Sequence, residues 1–448
     1  MKRNVYDLSH FSQMAYKIGR LQTLSVTPVI AGDSLTIVAD NLFYLSPLRR
    51  SLTHSAVVDI AAFYVPHRHV YSNWEDFIKG GYDESQTLGS MTLPSHVNGD
   101  IGCLGQPMES GTTVPYWSVV PYNMIWNRFY RPPKFTPELQ DDWDPGRAGF
   151  PANHTSANSP LLNTADQLKY GYAMTRLKTP WSTGINYDDL TTGDKTVNIP
   201  VGATADLDIV MLEQVKKRYG TEAELEWFQH YYTDIMKGKF GAGGVNPDAD
   251  QRPTMLMRKT YDINGHDING SGDANLGDFS GRGIGNNKFI MPRRFFNEHG
   301  SVWLVAGVRF PTILLEEQNP LHVNANPSYL ELAGEAELVK TQEPKDLILD
   351  DWCQGTSGAV AGGKIPYGQE YRYHTNIIHR DYRFLQGYPY LHFQTISSML
   401  KAQFITSAEY DPVFSTLQLG HAQSRGRIMM LKHSSYPTQR QSIYAGVN

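Results

Sequence analysis

The chain has 448 residues, of which 40% are hydrophobic and 19% charged, and this composition excludes an intrinsically disordered protein. The formal net charge of −5 argues against a protein that neutralises a nucleic acid alone, because such proteins are basic. The 26 prolines, 39 glycines and 26 tyrosines favour many strands joined by long ordered loops.

The first clear pattern is a pair of β-rich runs within residues 21–39, separated by Pro28 and the turn-prone Ala31-Gly32-Asp33. A further strand, rich in β-branched and aromatic residues, is predicted over 54–65, and Pro66 ends it. Residues 71–200 are irregular. Their densest aromatic stretch, 115–135, has more apolar surface than one core needs, so it suits contacts between subunits as well as packing on its own sandwich.

Two helices are predicted next, over 205–219 and 221–239, the second opened by the capping box of Thr221 and Glu224. A loop rich in Gly, Asp and Asn is predicted over 262–287. Residues 301–311 are apolar at both alternating sets of positions, which predicts a strand covered on both faces. Later strand candidates are 370–378 and 427–433. Strands at both ends of the chain favour one elaborated antiparallel sandwich.

Two histidines flank an arginine directly after the predicted strand 54–65. His67 and His69, with Glu75 nearby, have the residue types of a jelly-roll metal or carbohydrate site. However, alternate residues share a face only while a strand continues, and Pro66 has ended it. The sequence therefore favours a structural turn made by Pro66, His67, Arg68 and His69.

Residues 267–278 have the ligand spacing of an EF-hand-type calcium loop. Oxygen-bearing side chains stand at positions 1, 3, 5, 9 and 12, with Gly at position 6, although the flanks do not resemble the helices of that motif. We treat calcium as the one candidate ion and expect no required cofactor. The candidate ligands are the residues at positions 1, 3, 5, 7 and 12, which are Asp267, Asn269, Ser271, Asp273 and Asp278.

Short basic clusters are the candidate contacts for a nucleic acid. A solvated charged surface is the ordinary explanation for such clusters, but with exposed aromatic rings they can hold a single strand by charge and stacking. The candidates are Arg49, Arg50, Lys216, Lys217, Arg218, Arg293 and Arg294, with a further cluster at 425–427.

Several stretches, in their order and spacing, resemble the major capsid protein of the Microviridae, the small icosahedral single-stranded-DNA phages, particularly the phiX type. The resemblance covers nearly the whole chain, with residues 101–195 matching least. The stretches include TPVIAGDS (27–34), LSPLRR (45–50), FYVPHRHVY (63–71), PRRFF (292–296) and VRFP (308–311).

The resemblance implies a mainly β fold, an eight-stranded antiparallel jelly roll forming one domain over 1–448, with insertions at roughly 66–200 and 201–300. It implies a non-enzymatic T=1 shell, built via pentamers around circular single-stranded DNA. The implied partners are further copies of the chain, a major spike protein, internal and external scaffolding proteins, a small basic DNA-binding protein and a DNA pilot protein. Assembly is expected in the host cytoplasm, with the product in the virion.

The alternative function is a carbohydrate-binding or carbohydrate-active jelly-roll protein with His67, His69 and Glu75 at its site. A third possibility is a sequence-independent single-strand binder, against which the net charge argues. No apolar run approaches the length of a membrane span, and the first residues lack the apolar core of a signal peptide, so we expect an intracellular, soluble product with no membrane partner.

Overall fold

The strands of the chain account for most of the described structure. The computed structural model describes residues 4–18, 21–48, 55–70, 74–78, 90–92, 113–130, 253–269, 279–310, 319–323, 345–348, 361–365, 371, 374, 414 and 420–434. The strands are β1 Asn4–Asp7, β2 His10–Tyr16, β3 Leu21–Val29, β4 Ser34–Leu45, β5 Ala56–Pro66, β6 Ser90–Thr92, β7 Thr113–Pro115, β8 Thr254–Asn269, β9 Phe279–Phe295, β10 Gly300–Arg309, β11 Lys345–Ile348, β12 Ala361–Ile365 and β13 Ala422–Ser434.

Short helical turns stand between these strands. They are α1 His67–Val70, α2 Trp74–Ile78, α3 Val120–Ile125 and α4 Pro320–Val323, with a 3₁₀ turn at Tyr116–Ser118 and a π-helical turn at Trp126–Tyr130. The helices predicted over 205–219 and 221–239 lie outside the described residues.

One antiparallel sheet contains nine of the strands, in the order β1-β13-β4-β9-β8-β5-β10-β3 with β2 also paired to β13. β1 pairs with residues 431–434 of β13 and β2 with residues 422–428, so together they act as one interrupted edge strand. The sheet curls until its two ends meet: Lys432 Nζ donates to the carbonyl oxygen of Pro28 at 3.0 Å, and Thr27 Oγ1 lies 3.1 Å from Met430 Sδ. This curled antiparallel sheet confirms the predicted jelly-roll type of fold.

The long hairpin of β8 and β9 corrects the loop that the sequence predicted over 262–287. Residues 254–263 of β8 pair with β5, whereas residues 264–269 pair with β9. β9 in turn passes from β8 to β4 at Ile284. The described parts of 201–300 therefore belong to the main sheet, unlike the predicted second insertion, while residues 201–252 lie outside the described chain. In the first insertion, 66–200, the described residues beyond Pro66 lie outside this sheet.

Other strand predictions have mixed outcomes. β3, β4, β5, β10 and the end of β13 confirm the runs predicted within 21–39, 54–65, 301–311 and 427–433. Pro28 lies inside β3 instead of ending it, because β3 is the last strand of the sheet and a residue without an N–H is tolerated at an edge. Of 370–378 only Tyr371 and His374 are described, and neither is in a strand.

The main core lies inside the curl. Alternate residues of β4 point inward, and Ile37, Ala39 and Phe43 are fully buried there against β10 and β13. β10 is buried on both faces, as the sequence predicted, because its even-numbered residues face this core and Trp303 and Val305 face a second cluster.

The second cluster covers the outer face of β5 and β10 with the aromatic stretch that follows β7. Trp126 and Ile125 are fully buried there against Phe63 and Trp303. Phe63 also contacts Phe129, with ring centroids 4.6 Å apart. The described part of this stretch therefore packs on its own sheet. This is one of the two arrangements that the sequence allowed, and subunit contacts of the stretch stay a prediction.

Candidate functional site

The turn after β5 ties that strand to the start of β10. Pro66 is the last residue of β5, and α1 begins at His67. The backbone N–H of His67 donates to the carbonyl oxygen of His299 at 3.0 Å. Arg68 Nε donates to the Glu298 carboxylate at 2.5 Å. Because the partners come from a segment more than 200 residues away, the turn joins distant parts of the chain.

The imidazole ring of His67 packs against two indole rings, which also contact each other with centroids 6.5 Å apart. Its centroid is 5.1 Å from that of Trp74 and 5.0 Å from that of Trp117. Burial, and then the nearby His299, lower the pKa of His67 from 6.5 to about 4. The ring is therefore neutral at physiological pH. Its Nδ1 atom is buried and has no hydrogen-bond partner within the described part of the chain.

The two histidines of the turn do not form a pair that could hold a metal or a substrate. Both lie in α1, where residues two positions apart do not face each other. His69 is 5% exposed and so is not presented to solvent. Within the described residues, no group of three or more His, Cys, Asp or Glu side chains is placed to bind a metal ion. The side chain of Glu75 lies outside the described structure.

Two of the five candidate calcium ligands have a described backbone. Asp267 and Asn269 are in β8, where they pair with Gly281 and Phe279 of β9. Ser271, Asp273 and Asp278 lie in the undescribed connection between the two strands. Calcium binding at this hairpin end stays a prediction.

The candidate DNA contacts are described at two positions. Arg293 and Arg294 are exposed near the end of β9, and Arg293 Nε donates to Ser34 Oγ at 2.8 Å. Arg49, Arg50, Lys216, Lys217 and Arg218 lie outside the described residues.

A second basic surface lies on the outward side of β1, β2, β13, β4 and β9, which we call the open sheet face. Strand alternation places Arg282 and Lys288 of β9 on it, both exposed. Arg425 and Arg427 of β13 are exposed on the same side. Phe11, which is 82% exposed, pairs directly with Arg427. The face therefore combines cations with an exposed aromatic ring.

Acidic and apolar groups complete the open sheet face. Asp40 of β4 is the register partner of both Arg427 and Lys288, so it partly offsets those two cations. Leu431 and Ile290 are 46% and 42% exposed. The sequence did not predict the face as a unit, although Arg282, Lys288 and the residues between them alternate with a strand's period. Their strand was not predicted because its first inward positions, 281, 283 and 285, are glycines.

Comparisons with known proteins agree with one another. The family model described as "Capsid protein (F protein)" matches residues 1–179 and 150–443. The chain is 32% identical to Capsid protein F of Escherichia phage G4 over 98% of this chain and 96% of the relative. It is also 32% identical to Capsid protein F of Enterobacteria phage phiK, over 99% and 97% of the two chains. The chain belongs to this phage capsid protein family.

A more distant relative marks the breadth of the family. Capsid protein VP1 of Chlamydia phage 1 is 24% identical over 145 residues, which is 29% of this chain and 24% of the relative. Membership in the capsid family makes this chain a structural component of a virion and not an enzyme. The carbohydrate-active alternative has no support from the comparisons, and the orientation of His67 and His69 argues against it. Among the described residues, no helix has the length and apolar character needed to cross a membrane.

Proposed function

We propose that the chain builds a T=1 icosahedral shell, through pentamers, around a circular single-stranded DNA genome. The observation that carries this proposal is the match to phage capsid proteins over nearly the full length of both chains. Each subunit of a closed shell meets several neighbours, and obligate contacts of this kind often bury about 2,000 Å² or more.

The open sheet face is the part of the described surface best suited to the genome. Arg282, Lys288, Arg425 and Arg427 supply positive charge on a chain whose net charge is −5. Phe11 supplies an exposed ring on which a base can stack. Arg293 and Arg294 extend the basic surface at the end of β9, as the sequence analysis proposed. Because the whole chain is acidic, a basic companion protein would help to hold the DNA.

The remaining partners are proposed from family resemblance. They are a major spike protein, internal and external scaffolding proteins, a small basic DNA-binding protein and a DNA pilot protein. Assembly in the host cytoplasm would precede incorporation into the virion. Calcium at the β8–β9 hairpin end would bridge shell elements, with Asp267 as one ligand.

Electron microscopy of the full chain co-expressed with its scaffolding proteins tests the shell proposal. Uniform small spheres are expected, because identical copies must cover each other's interfaces in a closed assembly. Expression without scaffolding is the control and should give pentamers or aggregates. Dispersed monomers in both samples would contradict the proposal.

Titration calorimetry of assembled particles tests the calcium site separately. Wild-type particles should release heat on calcium addition, and Asp267→Ala/Asp278→Ala particles should release less. Equal heats would remove the site without affecting the shell proposal.

A further inference from the structure

Four aromatic rings meet at the end of the curled sheet where β5 ends and β10 begins. They belong to His67, Trp74, Trp117 and His299, which we call the imidazole–indole cluster. The ring of His67 contacts both indoles at centroid distances of 5.1 and 5.0 Å, and the Trp74 ring lies 6.1 Å from that of His299. Because Trp74 belongs to α2 and Trp117 to the Tyr116–Ser118 turn, the cluster attaches both segments to this end of the curled sheet.

His67 packs in this cluster as an uncharged ring. Among the described residues, its buried Nδ1 atom has no hydrogen-bond partner. A proton added at Nδ1 would create a buried N–H donor without an acceptor, together with a charge, and both are costly away from water. Attraction between the new cation and the two indole rings, whose planes are tilted by 51° and 36° from the imidazole, would offset part of this cost.

The charged groups around His67 also disfavour a second positive charge. Arg68 is the next residue of α1, and its guanidinium already engages the Glu298 carboxylate at 2.5 Å. His299 lowers the pKa of His67 through repulsion between the two rings when both are charged. α2 carries Glu75 and Asp76 in its sequence, while the Tyr116–Ser118 turn carries no ionisable acid or base other than Tyr116. His69, in the same helical turn, is buried.

We propose that the imidazole–indole cluster is an acid-released latch. It holds α2 and the Tyr116–Ser118 turn against the end of the curled sheet while His67 is neutral, and it frees them when His67 takes up a proton. This inference goes beyond shell building, because it gives the capsid chain a local conformational change that needs no change in the main sheet. The cluster joins Trp74 and Trp117 of the first insertion to His299, which directly precedes β10. Opening it would therefore alter the surface around α2 and the Tyr116–Ser118 turn.

The pH dependence follows from the direction of the pKa change. A histidine whose pKa is lowered in the closed state stabilises that state fully above its ordinary pKa, and the stabilisation is lost as the pH falls. With a closed-state pKa of about 4 and an open-state value of 6.5, the latch should open between these two pH values. Above pH 6.5 the cluster should stay closed.

Tryptophan fluorescence of the full-length chain tests the latch. The wild type should show a step in emission, and greater quenching by acrylamide, as the pH falls from 7 to 4. Circular dichroism of the strands should stay constant across this step. Trp117→Phe should reduce the amplitude of the step, because Trp117 is one of the two indoles that His67 contacts.

Two histidine variants and one control make the test specific. His67→Gln should abolish the step, and His299→Gln should move its midpoint to higher pH, because it removes a group that lowers the pKa of His67. The matched control is His10→Gln, which changes a half-buried histidine on β2, outside the cluster, and should leave the step unchanged. If His67→Gln fails to fold, the shifted midpoint in His299→Gln still decides. A step with the wild-type midpoint in either His67→Gln or His299→Gln would overturn the latch.

Discussion

Removing the Asp59 carboxylate should destabilise the sheet on which the aromatic stretch 116–130 packs. Asp59 of β5 is buried, with its side chain 1% exposed. It accepts from Arg309 Nε of β10 at 2.9 Å and from the hydroxyl of Thr260 on β8, and Arg258 Nη2 lies 3.6 Å away. One carboxylate therefore joins three adjacent strands.

The cost of Asp59→Ala can be estimated from these contacts. Breaking a buried ion pair by removing one partner costs about 3–5 kcal/mol. The guanidinium side chains of Arg309 and Arg258 are 24% and 36% exposed, so water can solvate them after the change. We therefore expect a loss of about 2 kcal/mol in the free energy of unfolding. For 448 residues, an unfolding entropy of about 2.1 cal/mol/K per residue converts this loss into a fall in Tm of about 2 °C.

Urea unfolding of the full-length chain, monitored by circular dichroism, measures this change. Asp262→Ala is the matched control, because it removes an exposed carboxylate from the neighbouring strand β8. Its effect should stay within about 0.5 kcal/mol. Equal unfolding midpoints for Asp59→Ala and Asp262→Ala would refute the proposed role of the buried carboxylate.

Three further variants test packing and the open sheet face. Gly426→Ala should cost at least about 1–3 kcal/mol and reduce soluble yield, because its Cβ would lie 2.4 Å from the backbone oxygen of Asp40; a wild-type melting temperature would contradict this. Phe11→Ala should weaken binding of a single-stranded oligonucleotide by about 1 kcal/mol or more in a filter-binding assay while leaving the melting curve unchanged. Phe43→Ala, in the core, should instead lower the unfolding free energy by about 3–5 kcal/mol. A loss of unfolding free energy smaller than that of Phe11→Ala would refute the assigned core.

The sequence predicted those strands whose own residue pattern indicates a buried strand. β10 is apolar at both alternating sets of positions, and β5 has a β-branched and aromatic run with a proline at its end. β1 and β2 carry no comparable signal, because they form by pairing with β13, more than 400 residues later in the chain. Such long-range pairing does not appear in local composition.

The missed strand β9 shows how a correct rule can mislead. Glycines at inward positions of β9 suggested a loop, but they permit close approach of residues from the neighbouring strands β4 and β8. A Cβ on Gly283 would lie 2.4 Å from the side chain of Leu45, and one on Gly285 would lie 3.1 Å from the backbone oxygen of Asp262. Glycine in a strand often marks such an approach. Without β9, the alternating cations of the open sheet face could not be assembled from the sequence.

The turn at Pro66 was partly within reach of sequence reasoning. Pro66 argued that the strand ended before His67, which removed the strand geometry needed for a paired-histidine site. The contacts of His67 with His299 and of Arg68 with Glu298 depend on the position of β10 beside β5. No local pattern predicts those partners.

The mass of the particles formed in the presence of the scaffolding and other viral proteins tests the shell most directly. A T=1 shell has sixty equivalent positions, so shells of this 50.5-kDa chain should contribute about 3 MDa. Charge-detection mass spectrometry of purified particles, stripped of scaffolding, should find a single narrow species of at least this mass. A chain that remains at 50.5 kDa or in small oligomers, with all of those proteins present, would contradict the assignment as a shell-forming protein.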